Sequence, residues 1–225
     1  MAYTLKDSKY NGDTGGDQVL EVNVLKASNP DAKYWDKTYN FVVDTLDSLY
    51  NDGYVPATIA RKYDTDKTID CNNKFSDGNS WLNDNNFGDG MYLWVVKCDT
   101  AVAHDRNGWA ERRQGFIGTT RYPNAHQTAF SGVHEALHPY IYADVCDEVQ
   151  KFGVSSDHEL GKVLNTGSLL NPNQASTMLG HYGQSVAEAS DSCDRWKSVD
   201  RYKNEQTVCT KKSLKRSWQH DAGQH

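Results

Sequence analysis

The stretch Thr128-Ala129-Phe130-Ser131-Gly132-Val133-His134-Glu135-Ala136-Leu137-His138 carries the pattern from which the architecture of this chain follows. Ala136 and Leu137 favour helix, and Ser131 can cap a helix or sit in its first turn. In a helix, residues four apart lie on one face, one turn apart. His134 and His138 can therefore aim two imidazole nitrogens at one ion, each roughly 2.0–2.1 Å away. Glu135, next to the first of them, projects beside such an ion, where it can take a proton from a water. With 8 histidines and seven glutamates in 225 residues, a His-Glu-x-x-His pattern arises by chance with a probability of roughly 0.01. That rarity favours a metal clamp over two histidines on an ordinary half-buried helix.

Working outward, the helical pattern is expected to run from Gln127 to Phe152, with Gly153 ending it. Pro139 falls inside that span, where a proline removes a backbone hydrogen bond and kinks the helix at a cost of about 3 kcal/mol. Upstream, Gln18 to Leu25 alternates as a strand after the turn-rich Asn11 to Gly16. Tyr34, Trp35, Tyr39, Val42, Val43, Leu46 and Leu49 recur at helical spacing from Asn29-Pro30-Asp31 to Asn51-Asp52-Gly53, which predicts an amphipathic helix. Ala57–Ala60, Met91–Val96 and Arg113–Thr120 read as further strands, and the Asn-, Asp- and Gly-rich stretch Asp64–Asp89 reads as loop. Within that loop, Leu82–Gly90 has the polar character of a calcium loop without its ligand spacing or closing glutamate. A short helix is expected from Asp157 to Leu164, followed by a Gly/Asn/Pro-rich loop and a basic C-terminal region with Lys203, Lys211, Lys212, Lys215 and Arg216. The expected class is α+β: a mixed twisted sheet with a backing helix and a site-bearing helix in residues 1–153, and a smaller C-terminal subdomain in 154–225, together one domain.

The formal charge of −6 provides no broad cationic field, which argues against nucleic acid or an anionic membrane as a partner held by electrostatics. No run of about 18 apolar residues is present, so no membrane insertion is expected. The five cysteines, Cys71, Cys98, Cys146, Cys193 and Cys209, form no CxxC pair. Two disulfides with one free thiol would suit an oxidising compartment, and Cys193 with Cys209 is the favoured pair because it closes a short basic loop. Five reduced thiols are the alternative. With Asn, Asp, Gly, Ser and Tyr plentiful and Glu scarce, a secreted protein is expected.

From Val133 to about Tyr182 the sequence resembles the zincin superfamily of zinc metallopeptidases, through His134-Glu135-Ala136-Leu137-His138. In the metzincin branch that motif extends to HExxHxxGxxH or an Asp-ended variant; here Ile141 stands at the glycine position and Asp144 at the third-ligand position. If the helix continues through Ile141, Asp144 lies about 15 Å along the axis from His134, a poor ligand position. The gluzincin branch takes its third ligand from a glutamate about twenty residues after the second histidine. Here Ser155-Ser156-Asp157-His158-Glu159 offers His158 as the favoured third ligand, with Glu159, Asp157, Asp144 and His181 as alternatives. Ala175-Ser176-Thr177-Met178-Leu179-Gly180-His181-Tyr182 loosely resembles the methionine turn beneath the metal in metzincins. By that likeness Met178 forms an apolar floor and Tyr182 donates a hydrogen bond to the oxyanion.

The resemblance implies a zincin-like fold, one Zn2+ ion and a monomeric endopeptidase that hydrolyses a protein or peptide substrate. Glu135 is then the general base toward a zinc-activated water. A secreted zinc-binding protein without turnover, such as a carrier or adhesion factor, is the alternative, and a module that binds no metal is the third possibility.

Overall fold

A computed structural model describes residues 3–16, 18–104, 108–109, 111–122, 124–142, 163–165, 173–175, 178, 201–202 and 204–223. The chain divides into two compact units, Met1–Tyr140 and Ile141–His225. The class is α+β, as the sequence predicts.

The first unit is built on a six-stranded sheet of β1 (Tyr3–Asn11), β2 (Leu20–Lys26), β3 (Thr58–Thr65), β4 (Gly90–Val96), β5 (Ala101–Ala103) and β6 (Arg112–Gly118) in the order β1-β3-β2-β4-β6-β5. The four central strands are parallel, and both edge strands, β1 and β5, run antiparallel to their neighbours. Every residue of β4 is buried, the pattern of a parallel strand covered on both faces. β1 and β5 escape sequence reasoning for a shared reason. β1 carries mostly exposed residues and β5 is three residues long, so neither has a buried alternation to betray it.

Helix α1 (Ala32–Asn51) connects β2 to β3, and α2 (Lys74–Asp84) connects β3 to β4. From β2 the sheet grows toward β3 and then back toward β4. Right-handed crossovers in opposite directions put their helices on opposite faces. Asp31 caps α1 by accepting from the Lys33 amide at 3.0 Å, and Gly53, at φ 72°, closes its other end. The α1 stripe of Trp35, Tyr39, Val42, Leu46 and Leu49 is buried, with the Trp35 indole donating to the Val24 carbonyl at 3.1 Å. This is the backing helix.

Helix α2 corrects the expected loop between Asp64 and Asp89. Its inner positions Gly78, Trp81 and Leu82 are buried, and with Phe75 they follow helical spacing; the surrounding Asn, Asp and Ser hide that signal in the composition. On this face Trp81 and Leu82 pack with Leu25, Tyr63, Tyr92, Trp94 and Phe116. In Leu82–Gly90, Leu82–Asp84 finish α2, and the Phe87 and Gly88 carbonyls accept from Arg112 and Tyr92.

Cys71, ahead of α2, is disulfide-bonded to Cys98, just after β4, closing a loop with a sequence separation of 27. A cross-link of that span is worth about 3–4 kcal/mol in the chain-entropy account. Cys71→Ser is expected to lower the free energy of unfolding by that amount, read from urea denaturation beside the oxidised parent. Cys193, half of the favoured pair, lies outside the described residues.

In the second unit, β7 (Val163–Asn165), β8 (Asn173–Ala175) and β9 (Arg201–Tyr202) form a small sheet in that order, and α4 (Val208–Asp221) follows. Thr207 caps α4, accepting from the Thr210 amide at 3.1 Å. Lys211, Lys212, Lys215 and Arg216 all belong to this helix. The Tyr142 amide donates to the Ser217 hydroxyl of α4 at 2.8 Å. Of the expected helix Asp157–Leu164, only Val163 and Leu164 are described, and they open β7.

Candidate metal centre

The site helix α3 (Ala125–Leu137) starts earlier than the sequence suggests. Asn124 caps it, its side chain accepting from the His126 amide at 2.8 Å, so Ser131 sits mid-helix and buried. Gly132 sets how close α3 lies to its neighbours. A Cβ there would stand 2.9 Å from Thr38 Cγ2 in α1 and 3.3 Å from Leu93 Cδ2 in β4. With about 100° of rotation per residue, His134 and His138 fall roughly 200–240° round the helix from that contact, on the side turned from the sheet.

There the two rings meet at right angles with centroids 4.6 Å apart, and their Nε2 atoms are 3.0 Å apart. His134, Glu135 and His138 are all buried, and one ligand atom from each lies within 4.8 Å of the others. Among the described residues no other trio of metal-ligating side chains converges in this way.

The donor set fits a tetrahedral ion. Bonds of 2.0–2.1 Å separate two ligand nitrogens by about 3.3–3.4 Å, a few tenths of an ångström from the observed spacing. The two nitrogens are within hydrogen-bonding distance of each other, so the pair is coupled rather than two independent side chains. The Glu135 carboxylate lies within 4.8 Å of both nitrogens, close enough to act as a base beside an ion.

The α-helix does not continue to Phe152. It stops at Leu137, His138 keeps helical dihedrals of −48° and −49°, and His138–Tyr140 form a single 3-10 turn. Pro139 is the physical cause: it has no amide to offer the Glu135 carbonyl one turn back. The axial separation that set Asp144 aside therefore does not apply. Asp144, Asp157, His158, Glu159, His181 and Tyr182 all lie outside the described residues, while Met178 is fully buried.

Residues distant in sequence hold the turn. The Gly108 amide donates to the Pro139 carbonyl at 2.9 Å, and the Trp109 indole donates to the Tyr140 carbonyl at 3.2 Å. The Trp109 and Tyr140 rings meet edge to face at 4.9 Å. The Tyr140 hydroxyl donates to the Glu21 carbonyl in β2, and burial, with Glu21 nearby, pushes this phenol well above its ordinary range, keeping it a neutral donor. No sequence pattern announces Gly108, Trp109 or Tyr140, because their roles arise from contacts 31 and 119 residues apart.

Neither the family models, nor the curated proteins, nor the solved structures compared with this chain match it. The likeness to an HExxH site thus rests on the buried His134, Glu135 and His138 group alone.

Gly108 permits the close approach to the turn. A Cβ there would lie 2.9 Å from Pro139 Cβ and 3.0 Å from the Tyr140 ring, atoms with no room to retreat. Gly108→Ala is expected to destabilise the protein by about 1–3 kcal/mol, measured as a lower urea midpoint with an unchanged slope.

Proposed function

We propose that this chain is a zinc-dependent endopeptidase. The observation that carries the reading is the 3.0 Å approach of the His134 and His138 Nε2 atoms, with the Glu135 carboxylate in the same buried group. Two imidazoles with a carboxylate in the same buried group are the side chains that a catalytic zinc site and its base need.

Two imidazoles hold the ion, and His158 is the third ligand in this reading, with Glu159 as the alternative. Bound zinc supplies a Lewis acid that polarises the scissile carbonyl and lowers the pKa of water. Glu135 takes a proton from water and returns it to the leaving amine. Tyr182 donates a hydrogen bond to the oxyanion. Burial of all three described side chains strengthens each of these electrostatic contacts by excluding competing solvent.

The substrate is a protein or peptide, cleaved by a monomer outside the cell. The Cys71–Cys98 disulfide supports an oxidising compartment, and no described helix is long and apolar enough to cross a membrane.

The test combines metal analysis with casein cleavage. One zinc per chain and cleavage abolished by a chelator are expected. Less than about 0.1 zinc per chain after zinc-replete purification rejects the metal site. Stoichiometric zinc without cleavage assigns the protein to metal binding without turnover.

A further inference from the structure

We infer that Trp109 is a positioning residue for His138, acting through the turn that follows it; the inference rests on the metal site proposed above. In an unbroken helix, the ladder beyond the second histidine would hold that histidine in place. Here Pro139 interrupts the ladder, and the α-helix ends at Leu137. His138 nevertheless keeps helical dihedrals and its Nε2 stays 3.0 Å from that of His134.

What replaces the ladder comes from outside the helix. Trp109 holds the Tyr140 carbonyl through its indole N–H and the Tyr140 ring through an edge-to-face contact, and the Tyr140 hydroxyl ties the same residue to the Glu21 carbonyl of β2. Trp109 and Tyr140 are both buried. The backbone at His138 is thus held on its N-terminal side by α3 and on its C-terminal side by the Pro139–Tyr140 segment, which is anchored to the loop at 108–109 and to the sheet. Groups that hydrogen-bond a metal ligand directly contribute about 10–100-fold to metal affinity, and Trp109, acting through the backbone two residues further on, is expected to reach the lower end of that range.

The experiment uses the full chain, with Zn2+ affinity measured by chelator competition and the Co2+-substituted form read by visible absorption. Trp109→Phe keeps a ring against Tyr140 and deletes the indole donor; Tyr140→Phe deletes the tie to Glu21. Leu82→Ala, buried in α2 on the opposite face of the sheet, lowers global stability without touching the turn. Each variant is assayed below its own unfolding temperature.

Trp109→Phe is expected to bind Zn2+ about tenfold more weakly and to shift the Co2+ absorption bands, with Tyr140→Phe moving both in the same direction. Leu82→Ala is expected to change neither. Wild-type affinity and an unshifted spectrum in Trp109→Phe overturn the inference while leaving the metal site intact. An equal loss in Leu82→Ala also overturns it, because the effect would then be one of global stability. A wild-type chain that binds no metal overturns the site itself. If Trp109→Phe does not fold, Tyr140→Phe decides alone by the same two readouts.

Discussion

Glu135→Gln is expected to lower kcat for the proposed peptide hydrolysis by about 10²–10⁴-fold and to leave the expected one zinc per chain in place, because glutamine keeps the shape of the side chain and loses its capacity to accept a proton. The carboxylate is in the same buried group as the two imidazoles, within 4.8 Å of them, and in the proposed function it serves as base and not as ligand. The two measurements to make on one preparation are therefore steady-state cleavage of a peptide and metal content. Loss of zinc along with activity would recast Glu135 as a ligand; full activity would remove it from the chemistry. KM is expected to change little, since a general base contributes to the transition state more than to substrate binding.

His138→Ala is expected to abolish stabilisation by zinc. A ligand that binds only the folded state, present at about a thousand times its dissociation constant, adds about 4 kcal/mol to the wild-type protein. With one of the two nitrogens now 3.0 Å apart removed, the proposed ion would lose a ligand, and the added stability should vanish. Thermal unfolding with and without zinc, run beside His134→Ala, gives the comparison. A zinc-dependent rise in Tm that survives both substitutions would place the ion elsewhere.

Where sequence reasoning succeeded, the signal was local. The apolar stripe Trp35, Tyr39, Val42, Leu46 and Leu49 marks α1, and the run Met91–Val96 marks β4, because burial on one face or both imposes a period that can be counted. It went astray where local chemistry was ambiguous. The span from Asp64 to Asp89 reads as loop by composition, yet Gly78, Trp81 and Leu82 suffice to seat α2 on the sheet. Ile141 suggested an uninterrupted helix, whereas Pro139 had already stopped it.

The sequence by itself determined the chemistry on offer: two imidazoles four residues apart with a carboxylate between them, on a segment whose helical propensity puts the imidazoles on one face. It also determined that cysteines were available for an oxidised cross-link. Only the tertiary structure decided that Cys71 and Cys98 form one, that the imidazole nitrogens face each other in a buried site, and that Gly108, Trp109 and Tyr140 brace the turn beyond them. The physical reason is one of range. Periodicity and capping act over a few residues and leave their mark in the sequence, whereas the bond from Tyr140 to Glu21 joins positions 119 residues apart and exists only once the sheet has brought them together.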